Sequence, residues 1–280
     1  MSTMANAGMK KSSRRVVFVL LLGVAFSILW PLWLIGTAAL RPNVEYLRDP
    51  FGFPTSATFD NFRKLLDVYG VGQAFMNSLL VVSIALVLQL SLATFAGYAL
   101  AKYPVPGARF ITGSFVAVML IPGQVLIIPI YLLLSRLGLV GEFPGLILVY
   151  VATGLPFAVF FLALSFRGIP QEVMEAAKID GAGFFRTFWS VVLPMGVSGV
   201  ATVAVLQFLG MWNELIFAFI LLPDNDKTLL TPALAKIGGK FVTDQTLVSA
   251  GLLVTASVPI LLLVVASNYI MRGLSAGFSR

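Results

Sequence analysis

The chain has 280 residues, 59% of them hydrophobic and 11% charged, with a formal charge of +7 and neither cysteine nor histidine. Soluble domains carry roughly 25% charged residues, so this composition excludes a surface bathed in water on all sides. The missing residue types exclude disulfides, Cys/His zinc sites, Cys or Ser-His nucleophiles and imidazole proton relays.

The basic excess has no aromatic-interleaved cluster of the kind single-strand binding needs. It therefore speaks for membrane topology rather than nucleic acid.

Six apolar runs stand out, at about 16–40, 74–100, 110–134, 144–166, 197–222 and 247–271. Each has the roughly 20 residues that a helix needs to cross hydrocarbon. The expected fold is an all-α polytopic membrane protein: a cytoplasmic tail (1–15) and one transmembrane domain (16–280).

The first run follows Lys10, Lys11, Arg14 and Arg15. A cleaved signal peptide over 1–39 is the rival reading, with Thr37-Ala38-Ala39 as its small residues. The length of the run, with Trp30, Pro31 and Trp33 inside it, favours a retained span with interfacial aromatics.

With the amino terminus inside, the inner segments hold eleven basic and three acidic residues and the outer loops eight of each. That asymmetry predicts both termini cytoplasmic. Pro31, Pro122, Pro129, Pro156 and Pro259 interrupt spans, and each removes a backbone donor and can kink its helix. The halves show no repeat of the kind that inverted-repeat carriers carry.

The fourth connection, 167–196, differs from the others in its chemistry. Pro170 suits the start of a helix, Gln171 to Ile179 contain no breaker, and Gly181 supplies the backbone freedom for a sharp stop. The short helix carries Val173, Met174, Ala177 and Ile179 on an apolar side, with Glu172, Glu175, Lys178 and Asp180 as polar handles. Such a helix fits a groove on a partner protein or rests on lipid headgroups. The acids lean against the anionic surface.

The strings Glu175-Ala176-Ala177, Asp180-Gly181-Ala182 and Leu193-Pro194 resemble the EAA signature of binding-protein-dependent ABC importer permeases. The resemblance extends along the chain from about residue 55, through Phe59-Asp60-Asn61-Phe62, Asn77-Ser78-Leu79, Ala96 to Lys102, Ile121-Pro122, Ile128-Pro129, Leu137-Gly138-Leu139, Trp212-Asn213-Glu214 and Gly273 to Gly277. It is similar to the carbohydrate branch, in particular the six-span maltose-type permease of type I fold.

The resemblance implies a helix that docks on a cytoplasmic ATPase. Glu175 takes that contact beside Ala176, Ala177 and Asp180, Gly181 makes the turn, and Leu193 and Pro194 lead back to the membrane. It also implies a homologous second permease, two ATPase subunits, an extracytoplasmic binding protein, a sugar or oligosaccharide as solute, and the inner or plasma membrane of a prokaryote. In that family the loop equivalent to 223–246 reaches toward the binding protein.

No G-x-x-x-x-G-K-[ST] phosphate loop occurs, since Gly238-Gly239-Lys240-Phe241 lacks both spacing and hydroxyl. The chain is thus expected to be no enzyme and to hold no cofactor, ATP and magnesium belonging to the partner ATPase.

Glu214 is the only acid within an apolar run. In lipid it must face protein, water or a paired donor. One reading puts Gln207, Trp212, Asn213 and Glu214 beside the translocation path. The other makes Glu214 a structural hydrogen bond or an interfacial carboxylate. An ion-driven secondary transporter is the alternative function, and it would have Glu214 alone to work with.

Overall fold

A computed structural model describes residues 11–224, 226–238 and 244–278, with side chains described from 15 to 267. The tail before Lys11, residues 239–243 of the fifth connection, including Gly239, and the side chains of Gly273 to Gly277 lie outside that description.

All regular structure among the described residues is helical. The helices are α1 (Lys11–Ala39), α2 (Asn43–Arg48), α3 (Asp60–Asp67), α4 (Val71–Lys102), α5 (Ala108–Met119), α6 (Ile127–Arg136), α7 (Phe143–Arg167), α8 (Gln171–Ile179), α9 (Phe184–Thr187), α10 (Leu193–Trp212), α11 (Ile216–Leu221), α12 (Leu230–Gly238) and α13 (Gln245–Phe278). Among the described residues five helical stretches are long and apolar enough to cross a membrane: 15–39, α4, α7, 184–212 and 245–267. The pair α5 and α6 supplies a sixth if counted as one span.

That third span is not a straight helix. Its halves meet at 88° around Leu120 to Pro122, and a 3₁₀ turn, Gly123–Leu126, leads into α6. Pro122 cannot donate to the helical ladder and disfavours helical geometry at Ile121, which accounts for the break at this point.

The fifth span departs from the expected 197–222 at both ends. Helix begins at Phe184 and stops at Trp212, with a π turn over Phe188–Val192. In that turn Leu193 N–H reaches back five residues to Phe188 O. The wider turn precedes Pro194 and accommodates a ring that a regular helix would push against the preceding carbonyls.

The chain forms two compact units. The first, 1–69 with 237–254, contains the long first connection. Its organiser is Arg41, only 1% exposed, whose Nη1 and Nη2 donate to the carbonyls of Asp49 (2.9 Å) and Pro50 (3.0 Å). Asn61 Nδ2 donates to both Ala39 O and Arg41 O, and Thr246 Oγ1 donates to Asn61 Oδ1. A loop with little apolar core is held instead by buried side chains that satisfy backbone carbonyls.

The second unit, 70–236 with 255–280, is the helix bundle. α4 ends at Lys102 because Pro104 forces Tyr103 into an extended conformation. The α4 and α7 backbones meet at Gly97, where a Cβ would stand 3.0 Å from Ala163 N and from Leu162 Cβ. Close approach through small residues is how helices gain packing where lipid offers no hydrophobic driving force. The core beneath is built from Tyr98, Val159, Leu162, Phe166, Phe188 and Val192.

On the connection that follows α11, Asn77 Nδ2 donates to Asp226 O and Thr228 O, while Ser78 Oγ accepts from Leu230 N–H. Lys227 pairs with Glu142 at 2.6 Å.

Candidate functional site

α8 starts one residue after Pro170, which caps it in an extended conformation. It ends with Gly181 N–H on Lys178 O and Ala182 N–H on Ala177 O. That pair of bonds is the Schellman stop, and it requires the left-handed φ of +73° that Gly181 adopts.

Met174 is 2% exposed and joins the core with Ile169 and Phe188, and Ala177 is buried as well. Glu172, Glu175, Ala176, Lys178 and Asp180 are exposed. Ile179, counted on the apolar side from the sequence, is 86% exposed and lies away from the bundle. Alternation of residue type could not tell which apolar residues face this chain's own core and which remain free.

One side-chain bond and apolar packing hold α8 to the spans: Lys102 Nζ donates to Ile169 O just ahead of it, and Met174 packs with Phe188, whose ring lies with that of Phe184 against Tyr98. Leu193 and Pro194 follow in the continuous helix, so the return from the loop is complete by Phe184, earlier than the sequence predicts.

A cavity of about 400 Å³ opens in the bundle, lined by Tyr150, Thr153, Gly154, Gln207, Glu214 and Phe217 among others. Gln207 Nε2 donates to Gly154 O (2.8 Å). Glu214 Oε1 accepts from Phe217 N–H (2.8 Å), and its Oε2 accepts from Ala218 N–H (3.0 Å) and Tyr150 Oη (3.1 Å). The carboxylate thereby caps α11 across the break at 213–215 and keeps some acceptor capacity toward the cavity.

The four residues singled out in the fifth span separate. Gln207 and Glu214 line the cavity. Trp212, 3% exposed, is packed between Phe75 and Phe208, and its indole N–H donates to Thr255 O. Asn213 is exposed, and its amide turns back to Leu209 O.

Tyr150, Thr153 and Gly154 were not anticipated. A polar residue and a glycine just ahead of Pro156 in an otherwise apolar span were the available signal. No group of three or more metal-ligating acids, cysteines or histidines occurs among the described residues. The cavity offers amide, hydroxyl and carboxylate groups against a largely apolar wall, which suits an uncharged hydroxylated solute.

Residues 90–280 match the family described as binding-protein-dependent transport system inner membrane component. The diacetylchitobiose uptake system permease protein NgcG of Streptomyces coelicolor is 38% identical over 247 residues, covering 85% of this chain and 81% of that one. The arabinooligosaccharides transport system permease protein AraQ of Halalkalibacterium halodurans is 30% identical over 96% and 98% of the two chains. A chain of a bacterial ABC transporter involved in alginate import superposes with a TM-score of 0.82 at 21% identity, covering 94% of this chain and 99% of that chain, and so shares the fold. The chain belongs to the family of inner membrane permease components of binding-protein-dependent transport systems.

Proposed function

We propose that this chain forms half of the translocation path of an ATP-driven importer for a di- or oligosaccharide, with α8 as the element that docks on the ATPase. The observation that carries the docking assignment is the two-sidedness of α8. Met174 and Ala177 are locked into this chain's own core, while Glu172, Glu175, Ala176, Lys178 and Asp180 are exposed, three acids against one base. A helix fastened on one side and acidic on the other can carry a partner's displacement into the spans.

The solute class is supported by relatives that handle diacetylchitobiose and arabinooligosaccharides and by a cavity with hydroxyl-pairing groups. The remaining parts are a second permease, two ATPase subunits and a binding protein on the far side of the membrane, with both termini of this chain on the ATPase side. Family membership sets the ion-driven alternative aside.

The test deletes the gene and measures uptake of labelled trehalose, maltose, diacetylchitobiose and arabinobiose, before and after complementation. Accumulation of at least one that requires both this chain and its ATPase is expected. Glu175→Lys should abolish that uptake and reduce co-purification of the ATPase at normal membrane abundance. Uptake that persists without the ATPase overturns the energy source, and no dependence on the gene for any sugar overturns the solute class.

A further inference from the structure

Gln89 lies in the middle of α4 and is 0% exposed, and neither its Oε1 nor its Nε2 has a hydrogen-bond partner. A carboxamide brings both donors and acceptors, and leaving all of them unmade in an apolar interior is costly. The other polar side chains of the spans described above are satisfied. Gln207 has Gly154 O, Trp212 has Thr255 O, and Glu214 has three donors.

The position of this orphan is informative. Gly154 has no side chain, and the space its Cβ would occupy is taken by the amide nitrogens of Gln89 and Gln207 together. Gly154 and Gln207 both line the cavity. Two carboxamides from different helices therefore converge on one bare stretch of α7 backbone, Gln207 in the cavity lining and Gln89 buried directly behind it. One is bonded to it and the other is bonded to nothing.

We infer that Gln89 is a specificity-determining residue of the importer, forming with Gln207 a donor and acceptor pair that receives one hydroxyl group of the solute at Gly154. A hydroxyl both donates and accepts, which is what an unpaired carboxamide requires, and an apolar solute would leave Gln89 unsatisfied. Sites built to pair a hydroxyl reject analogues lacking it far more strongly than apolar pockets reject a missing methylene. The inference rests on the reading of the cavity as part of the solute path.

The experiment separates the two. The native chain has no cysteine, so Thr153→Cys in the assembled importer gives this chain one thiol at the cavity. Its modification by a charged methanethiosulfonate is followed on this chain's own peptides, with and without the disaccharide that the cells accumulate from the four-sugar panel. Uptake kinetics are then compared for wild type, Gln89→Leu and the near-isosteric Gln89→Met, using that sugar and its monodeoxy analogues.

The expected result is protection of the thiol by the sugar, together with a KM about three- to tenfold higher in both Gln89 variants, the loss of one neutral hydrogen bond. Discrimination against one monodeoxy analogue should disappear. KM and the discrimination ratio do not depend on how much protein reaches the membrane, so a poorly inserted variant still reports. Protection with unchanged KM and unchanged discrimination overturns the role of Gln89 and leaves the cavity on the path. A thiol that the sugar does not protect overturns the cavity reading and the inference with it.

Discussion

The ammonium of Lys102, the last residue of α4, donates to the backbone carbonyl of Ile169, two residues ahead of α8. A span end and the proposed docking helix are thus joined by a single charge-assisted bond as well as by apolar packing. Lys102→Met removes the bond and keeps most of the stem's packing. The expected loss of local stability is about 1.5–3 kcal/mol, seen as faster hydrogen exchange over 169–183. ATP hydrolysis should continue while uptake falls.

Gly181→Val forces a β-branched residue into a left-handed φ of +73°. The strain is about 1–2 kcal/mol at that residue, enough to unwind the stop and rotate Asp180. Uptake should be lost and ATPase co-purification weakened. Gly181→Asn, which tolerates that conformation better, should retain more of both.

Glu214 satisfies Phe217 N–H, Ala218 N–H and Tyr150 Oη at once. Glu214→Ala strips a helix start and a buried phenol of their acceptor, at about 1–3 kcal/mol for each donor left buried and unpaired. Thermal stability of the purified complex should fall clearly. Tyr150→Phe alone should cost less, and the double variant should fall short of the sum, because the two changes share one contact.

Gly97→Val drives a side chain against the backbone of α7 at Ala163. Backbone has nowhere to retreat, so α4 and α7 must separate along their main contact. The expected outcome is failure to accumulate in the membrane, read by immunoblot, with Gly97→Ala intermediate.

The carboxylate of Glu45 accepts from Thr55 N–H and Ser56 Oγ, each at 2.7 Å. These bonds hold its pKa below the ordinary glutamate range, the Thr55 amide contributing most. The folded value being the lower one, the stabilisation is complete above the ordinary range and is lost as pH falls through the folded value. Protease nicking of 49–59 should rise as the pH drops from about 7 to about 3, and Glu45→Gln should show more nicking at neutral pH with a smaller pH dependence.

The spans were legible because hydrocarbon imposes one rule on length and polarity. α8 was legible because Pro170 and Gly181 bracket it and nothing between them breaks a helix. What escaped were features set by three-dimensional neighbours. The right-angle bend at Leu120 to Pro122 needs more than the presence of a proline, since Pro31 and Pro259 lie inside continuous helices. Trp212 reads as a path residue from its chemistry, yet Phe75, Phe208 and Thr255 enclose it. Gln89 carried no signal beyond being polar in an apolar run, because its importance comes from a missing side chain on another helix.

The π turn at Phe188–Val192 lies between two stretches of one rod. Residues before it are keyed to α8 and the Tyr98 cluster, and residues after it present Gln207 to the cavity. Each residue of a regular α-helix turns the face by about 100°, and the widened turn takes up its extra residue without passing that rotation on to the helix beyond. Removing one of 188–192 would restore regular helix there and leave Gln207 facing Gly154, whereas removing a residue from the regular helix between Leu193 and Gln207 would turn Gln207 away. Tolerance to a change in length is therefore uneven along the rod: the π turn can lose one residue, whereas the same loss in the regular helix that follows alters which wall of the cavity is polar.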